Sequence, residues 1–292
     1  MIRFGADASR ISLRGSLGEA PLETEVVLAQ RDTRRAVLNG ERLGSAEQLR
    51  HELITLVFTP DRLAVVKGAP AIRRAYLDRA LGRLIPARAK LPGEYAATLG
   101  QRNAALRRIR MGQSTREALT PWTERTAALG AELVHARIVA LSLLQGEFAD
   151  TAGVLGLEQA TLEYEGEPST QADLDARVDA DVERGLTGSG PHLHDVRIAA
   201  AGRDLRVFGS QGEQRVAVLA LVLSEASAVR ERVGKPPLVL LDDVLSELDG
   251  ERRRSLADMI SRGGQTVVTT TSAAAFPSEP AQSLTVLPGR VE

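Results

Sequence analysis

The chain has 292 residues, which is enough to bury a full core as one two-lobed domain or as two close-packed ones. It contains no cysteine, which excludes disulfides, thiolate metal sites and thiol catalysis and fits a reducing cytoplasm, and its formal net charge of −1 gives no bulk argument about nucleic acid. No apolar run approaches the roughly 20 residues of a membrane span and the first residues lack a signal-peptide pattern, so we expect no membrane partner.

Residues 1–60 are predicted to form β-strands. The candidate strands are Arg10–Leu17, Leu22–Gln30, Arg34–Leu38 and Leu53–Phe58. Asn39-Gly40 follows the third of them, and Asn-Gly next to apolar-bearing segments is a strong signal for a two-residue hairpin. We therefore predict an antiparallel sheet for this part of the chain.

Residues 61–185 are predicted to be mainly helical. Helix formers with apolar periodicity cover Ala71–Leu84, Ala87–Arg110 with an interruption at Pro92-Gly93, and Pro121–Phe148. None of these segments sustains clean heptads over many turns, which predicts a compact helical lobe and not a long coiled-coil arm.

Charge is segregated within this helical part. Between Ala71 and Ala140 there are thirteen basic and five acidic residues, a net of +8, whereas Glu147–Arg184 has eleven acidic and two basic residues, a net of −9. Arginines along helices suit the phosphate backbone of nucleic acid, so we take Arg102, Arg107, Arg108 and Arg110 as candidate contacts. A solvated helix face with intrahelical ion pairs is the alternative, and the residues alone leave both open. With Trp122 the only tryptophan, we expect duplex or junction contact and no base-stacking platform.

The segment after the long helices is predicted to return to strands. Thr161–Tyr164 is its β-prone part, Ser169–Val182 an acidic helix, and Val196–Ala200 with Leu205–Phe208 a hairpin. His192 and His194 lie close together without a cysteine nearby, so we expect them to be hydrogen-bonding loop residues and predict no zinc.

A helix with an open amino terminus is predicted to begin at Ser210. Ser210 is a good N-cap, and Glu213 three positions later completes a capping box. Gly212 has no side chain to keep an anion from the unpaired N–H groups of the first turn, which favours a phosphate seat. A well-capped core helix is the alternative interpretation.

A buried strand that ends in two carboxylates is predicted from Leu238 to Asp243, within an apolar run that begins at Pro237. Its apolar run is typical of a parallel strand covered on both faces, and Asp242 and Asp243 lie at its carboxyl end, where open α/β sheets bind ligands. Two adjacent carboxylates repel each other, and Mg²⁺ held through one of them is the usual solution. A purely structural strand is the alternative.

Three motifs in the last third of the chain resemble those of one family. They are FGSQGEQR (Phe208–Arg215), LLDDVLSELD (Leu240–Asp249) and QTVVTTT (Gln265–Thr271). They are similar to the signature motif, the Walker B and D-loop segment, and the switch segment of RecF, a bacterial recombination-repair ATPase with a head of the ATP-binding-cassette type. Asp-Asp followed by a threonine run is the RecF pattern, whereas other cassette ATPases usually have Glu and His there.

The resemblance covers nearly the whole chain in order. TGSGPHLHD (Thr187–Asp195) resembles the family's T-x-x-GPHRDD, with Leu193 in place of Arg. Phe58–Leu63, Gly68–Pro70 and Arg73–Asp78 resemble FxPxDL…GxPxxRRxFLD. The fold implied is an α/β P-loop NTPase head with an antiparallel β subdomain in residues 1–60, a helical second lobe in 61–185, and signature, Walker B, D-loop and switch in 186–292.

The resemblance implies a role for each motif in a nucleotide-dependent homodimer that closes over two ATP molecules. Asp242 holds Mg²⁺ and Asp243 is the catalytic residue that orients or deprotonates water. The signature covers the partner's ATP through Ser210, Gln211, Gly212, Glu213 and Gln214. The D-loop is represented by Ser246 and Asp249, and the switch by Thr269, Thr270 and Thr271.

The family's biology is implied in the same way. A RecF-like chain binds double-stranded DNA at gaps and single-strand/double-strand junctions, works with RecR and RecO, and helps load RecA during repair and the SOS response.

This sequence contains no P-loop of the form G-x-x-x-x-G-K-[ST]. Its single Gly-Lys pair, Gly234-Lys235, is followed by Pro236. The P-loop strand and helix of the family precede the point that aligns with Met1, so we expect weak ATP binding in cis. A start codon placed too late, or a truncated gene, is the preferred expectation. The alternative is a nucleotide-independent DNA- or protein-binding regulator, and a transporter subunit fits Asp243 and the threonine run poorly.

Overall fold

The computed structural model of the protein describes residues 2–30, 35–44, 46–272, 275–288 and 290–292. Its strands are β1 Ala8–Leu17, β2 Ala20–Ala29, β3 Arg35–Leu38, β4 Glu41–Arg42, β5 Thr55–Phe58, β6 Ala160–Glu165, β7 Asp195–Ala200, β8 Arg203–Asp204, β9 Leu238–Asp242, β10 Thr266–Thr269, β11 Val286–Leu287 and β12 Arg290–Val291. Its helices are α1 Ala46–Glu52, α2 Ala64–Lys67, α3 Pro70–Leu84, α4 Leu91–Arg110, α5 Thr120–Val154, α6 Gln171–Ala176, α7 Val178–Arg184, α8 Leu205–Phe208, α9 Gln211–Val233 and α10 Gly250–Ser261.

The amino-terminal sheet is antiparallel, as predicted, in the order β1-β2-β3-β4. Strands β1 and β2 pair from Ala8↔Ala29 to Leu17↔Ala20, and β3 turns into β4 at Asn39 and Gly40. Both turn residues have positive φ, 48° and 85°, which is the backbone that a two-residue hairpin turn requires and that Asn-Gly tolerates. The predicted strand residue Arg34 lies outside the described residues.

Strand β5 was predicted to belong to the antiparallel sheet, and that prediction is wrong. It pairs in parallel with β9, which also pairs in parallel with β10, so a second sheet has the order β10-β9-β5. The face of this sheet that carries Leu56, Phe58, Val239 and Leu241 is fully buried. A strand of four residues is buried in this way only by partners that are far away in sequence. The local sequence pattern therefore did not reveal that β5 pairs with β9.

The helical part forms largely where predicted. Helix α4 begins at Leu91 after a separate 3-10 turn, Pro86–Arg88, so Pro92 lies in its first turn and does not interrupt it. Helix α5 has 35 residues and by length and composition alone is apolar enough to cross a membrane. Many of its residues are instead buried against the rest of the protein, including Leu133, Leu144 and Phe148, as expected for a core helix.

The third sheet has the order β6-β7-β8 and corrects two further expectations. Residues Leu205–Phe208, predicted as a strand, form the helical turn α8, whose N-cap Asp204 accepts a hydrogen bond from the N–H of Arg206. The predicted acidic helix is two short helices, α6 and α7, and Thr170 caps α6 in a capping box with Asp173.

The basic and acidic stretches of the helical part contact each other. Arg102 of α4 pairs with Asp181 of α7 at 2.8 Å, and Arg116 pairs with Asp179. Part of the charge segregation seen in the sequence is therefore neutralised inside the molecule.

Candidate functional site

The carboxyl end of β9 brings together two of the predicted catalytic motifs. The hydroxyl of Thr269, at the end of β10, donates to Oδ1 of Asp242 at 2.6 Å. The N–H of Asp243 donates to the carbonyl oxygen of Thr269 at 3.2 Å and contacts its hydroxyl oxygen at 3.1 Å. Thr269 thus connects both aspartates, and the parallel pairing of β9 with β10 places it there.

Asp243 has an unusual backbone and an unpaired acceptor. Its φ of 50° and ψ of 32° lie in the left-handed region, which is uncommon for residues other than glycine, asparagine and aspartate. Its Oδ1 is a buried atom without a hydrogen-bond partner. Buried acceptors are nearly always paired, so this atom marks a place where a donor or a cation is needed.

The donor set at this strand end fits Mg²⁺. Asp242 is exposed at the carboxyl end of β9, and the unpaired Oδ1 of Asp243 follows it directly. Hard carboxylate oxygens are the protein ligands that Mg²⁺ prefers, usually one or two of them together with water and phosphate. The residues that the structure describes contain no group of three or more His, Asp or Glu side chains that would hold a metal by themselves, so water or phosphate has to complete the coordination.

The predicted D-loop follows immediately. A 3-10 turn, Val244–Glu247, begins at Asp243, and the hydroxyl of Ser246 donates to the Asp243 carbonyl oxygen at 2.9 Å. Asp249 is the N-cap of α10, where Oδ1 accepts from the N–H groups of Glu251 and Arg252 at 3.1 and 2.9 Å. The Arg252 N–H is the main reason that the pKa of Asp249 lies below its usual value.

Among the described residues, Thr270 and Thr271 form no hydrogen bond with Asp242 or Asp243. The Thr270 hydroxyl pairs with its own turn, donating to the Ser272 carbonyl oxygen at 3.2 Å. Thr271 is exposed. Of the three predicted switch residues, Thr269 is therefore the one that the fold joins to Asp242.

The predicted signature helix has the expected capping box. The Glu213 N–H donates to the Ser210 hydroxyl at 3.2 Å, and the Ser210 N–H donates to the Glu213 carboxylate at 2.7 Å. This bond from the Ser210 backbone is the main cause that lowers the pKa of Glu213. Ser210, Gln211 and Gly212 are exposed, so the first turn of α9 is open to solvent.

Gln214 does not belong to this open surface, which corrects its assignment to the nucleotide-facing residues. Its side chain is 3% exposed, and its Nε2 donates to the Leu205 carbonyl oxygen at 2.6 Å. Gly209 lies against the same carbonyl oxygen, and a Cβ added at this position would be 2.5 Å from it. Gln214 thus fixes α8 against the start of α9, because the helix directs this position inward.

The only Gly-Lys pair of the sequence ends a helix. Gly234 is the C-cap of α9 in the left-handed conformation, with φ of 71°. Because a P-loop opens a helix and this segment closes one, Gly234-Lys235 is excluded as a phosphate loop.

The four arginines proposed for DNA contact are not equivalent. Arg102 is fully buried and donates to Asp181 at 2.8 Å, to Thr187 at 2.7 Å and to Thr123 at 3.2 Å, so it is not available to DNA and that prediction is wrong. Arg107, Arg108 and Arg110 are exposed at the end of α4.

Two buried arginines hold the loop before β7, and of these only Arg73 belongs to a family-like motif of the sequence. Arg73 forms a bidentate pair with Asp195, both distances 2.7 Å, and Arg137 forms one with Asp78 at 2.8 and 2.9 Å. Arg137 also donates to the Pro191 carbonyl oxygen at 2.8 Å. These contacts connect α3 and α5 to the loop and have a structural role that charge patterning did not reveal.

The two histidines of this loop are hydrogen-bonded, as expected. His192 Nδ1 lies 2.8 Å from the Tyr95 hydroxyl, and His194 Nδ1 lies 2.9 Å from that of Tyr164. Burial lowers the pKa of both imidazoles.

A parallel sheet that ends in paired aspartates, together with a helical part and the open start of α9, defines an α/β ATPase head of the ATP-binding-cassette type. Solved structures have this fold. The recombination mediator protein RecF solved with ATP matches 99% of this chain and 80% of its own chain, with a TM-score of 0.83 and 24% identity. No protein-family model matches the chain.

Sequence relatives identify the family within that class. DNA replication and repair protein RecF from Heliobacterium modesticaldum is 34% identical, over 96% of this chain and 79% of the relative. The protein of the same name from Bacillus subtilis is 33% identical, over 93% of this chain and 78% of the relative. The chain belongs to the RecF family of DNA replication and repair proteins, so the family predicted from the sequence is confirmed.

Proposed function

We propose that this chain is a RecF-type recombination-repair protein that uses ATP and Mg²⁺ to control its binding to DNA. The observation that carries the proposal is the end of β9, where Thr269 joins Asp242 and Asp243 beside an unpaired buried oxygen. Support comes from the relatives, which are DNA replication and repair proteins, and from a family member solved with ATP.

The three residues at the end of β9 and β10 have different roles. Asp242 holds Mg²⁺, an ion that neutralises charge on phosphate oxygens when it is bound. Asp243 orients the attacking water and accepts its proton, and its carboxylate carries the unpaired Oδ1. Thr269 keeps the Asp242 carboxylate in one orientation by donating to Oδ1.

The exposed start of α9 acts on the nucleotide of a second copy. Ser210 and Glu213 cap the helix by pairing with each other's backbone N–H groups, and the exposed Gln211 and Gly212 present their N–H groups and the positive end of the helix dipole to phosphate. Gln214 contributes by holding α8 in place. Asp249 and Ser246 lie in the D-loop that meets the partner. We propose that two copies pair head to head over ATP.

Phosphoryl transfer depends mainly on positioning and charge stabilisation, so these residues accomplish little without a P-loop lysine. We propose that the α9 surface covers ATP held by the P-loop of the facing head. A nucleotide-independent regulator on the same fold is the second candidate. Duplex binding that is identical with and without ATP would select it.

On DNA, we propose that the protein acts at gaps and single-strand/double-strand junctions through Arg107, Arg108 and Arg110. RecO and RecR are the proposed protein partners, because the solved relatives are assigned to the RecFOR pathway, and RecA is served indirectly. The proposed location is the cytoplasm.

Asp243→Asn tests the catalytic assignment in a chimera that joins this chain to the nucleotide-binding segment of the family member solved with ATP. We expect ATP hydrolysis to fall by about 10²–10⁴-fold, since a general base is lost, while ATP-driven dimerisation persists. Phosphate release and light scattering measure the two quantities. Asparagine also tolerates the left-handed backbone, so the fold should survive. Retained turnover would refute the role of Asp243.

A further inference from the structure

A buried carboxylate of α9 contacts α3 outside the site described above. Glu225 is 0% exposed, and its carboxylate accepts from the Tyr76 hydroxyl at 2.9 Å and pairs with Arg83 at 2.5 Å. Burial, followed by the Glu225 charge, raises the pKa of Tyr76 well above its usual value, so this phenol stays a donor. The Arg83 guanidinium is thereby fixed in one place at the surface of α3, with 18% of its side chain exposed.

Two more arginines lie beside this pair. Arg79 precedes Arg83 by one helical turn and is exposed, and Arg62 lies in the 3-10 turn Pro60–Leu63. That 3-10 turn and α3 both pack against α9. After burial, the charges of Arg62 and Arg83 are the strongest influences that lower the pKa of Arg79, in agreement with this packing. Within the described part of the chain, neither Arg62 nor Arg79 forms an ion pair with a carboxylate of its own.

Charge is therefore unbalanced at this place. Arg62, Arg79 and Arg83, which we name the α3 cluster, have one ion pair with a carboxylate among the described residues, that of Arg83 with Glu225. Guanidinium groups with free donors suit phosphate oxygens, which they bind in bidentate geometry. The arginines at the end of α4 differ, because α7 with its carboxylates packs beside them and the Arg110 guanidinium lies 3.4 Å from the Glu183 carbonyl oxygen.

We propose that the α3 cluster binds phosphate groups of the duplex DNA backbone. The inference rests on the proposed DNA-binding function and adds a contact surface to it. Duplex is favoured over single strands because Tyr76, the aromatic residue beside the cluster, is buried and offers no ring face for base stacking. The ion pair with Glu225 restricts the Arg83 side chain before DNA binds. Less side-chain conformational entropy is therefore lost when a phosphate binds.

The double variant Arg62→Gln/Arg79→Gln tests this proposal in the full chain. Arg83 is retained, because removing it would leave Glu225 buried without its counter-charge. We expect weaker binding of a fluorescent duplex and a slope of log affinity against log salt that is shallower by about 1 to 2, since each lost phosphate contact changes the slope by about 0.9. Fluorescence anisotropy over a salt series measures both.

Arg10→Gln/Arg14→Gln is the matched control. It removes the same number of charges from exposed arginines of β1, which pair with Glu25 and Glu23. The control should keep the wild-type slope, and thermal melting of both variants should confirm that each is folded.

Three outcomes would count against the proposal. Equal slopes for the wild type and Arg62→Gln/Arg79→Gln would overturn DNA binding by the α3 cluster and leave the proposed DNA function of the protein intact. Loss of fluorescent-ATP binding in this variant with unchanged duplex binding would assign the cluster to nucleotide phosphate and overturn it as well. A wild-type chain that binds no duplex at any salt would overturn the proposed DNA function together with this inference.

Discussion

Two arginines of α4, Arg102 and Arg107, show how differently one residue type is used in this protein. Arg107 is exposed, whereas Arg102 is fully buried among Asp181, Thr187 and Thr123. A buried guanidinium is tolerated only if its charge and donors are satisfied, and here one carboxylate and two hydroxyls accept from it. Arg102 therefore acts in folding and not in DNA contact.

Arg102→Met tests this role. Loss of the guanidinium leaves the Asp181 carboxylate buried without a counter-charge, so we expect the free energy of unfolding to fall by about 3–5 kcal/mol. Urea unfolding measures it. Arg107→Met, which changes an exposed side chain, should remain within about 0.5 kcal/mol of the wild type. Similar stabilities for the two variants would contradict the structural assignment of Arg102.

At the scale of elements, the start of α9 combines local capping with an inward anchor. Ser210 and Glu213 satisfy each other's backbone N–H groups, while Gln214 in the next position holds α8 through the Leu205 carbonyl oxygen. The outward residues leave the helix mouth open, and the inward one keeps it in place. The exposed surface at the start of α9 therefore depends on the buried Gln214 as well as on the exposed residues.

Removing the cap should destabilise the protein without changing its fold. We expect Ser210→Ala to lower the free energy of unfolding by about 1 kcal/mol, the usual loss for an N-cap. Ser142→Ala is the control, because that hydroxyl lies within α5, away from a helix end, and donates to the Val139 carbonyl oxygen at 2.8 Å. Urea unfolding compares the two, and an equal effect of both substitutions would contradict the capping role.

The Glu213 carboxylate adds a pH dependence to this cap. Its pKa is lowered in the folded protein, chiefly by the Ser210 N–H, so its stabilising contribution is present above the unfolded pKa and is lost as pH falls through the folded value. We expect wild type to be more stable than Glu213→Gln near neutral pH and the difference to shrink below about pH 4. A difference that is constant with pH would exclude the charge as its cause.

At the scale of the whole molecule, a net charge of −1 conceals a distribution that ion pairs partly cancel. Arg102 and Arg116 of the basic stretch pair with Asp181 and Asp179 of the acidic one. The positive potential available to DNA is therefore that of the exposed arginines that remain, and it is smaller than the sequence count suggests.

Reversing Arg107, Arg108 and Arg110 to Glu tests the DNA surface proposed at the end of α4. We expect weaker duplex binding and a flatter salt dependence, because phosphate contacts and their released counterions are lost. Anisotropy titrations measure both. Unchanged affinity would leave these residues as solvated surface, and DNA contact would then depend on the α3 cluster.

Local features of the fold and of the site were predictable from the sequence. The Asn39-Gly40 hairpin, the capping box of α9 and the β9 strand ending at Asp242 all depend on residues within a few positions of each other. The family motifs added the roles proposed for those residues.

The tertiary structure decided the features that depend on distant partners. Sequence determined that β5 is a strand and that α4 is basic, yet only the fold showed that β5 pairs with β9 and that Arg102 meets Asp181, 79 positions away. It likewise turned Gln214 inward and joined Thr269 to Asp242, 27 positions apart. The reason is physical: a strand or a guanidinium is compatible with several environments, and burial against particular partners selects one of them.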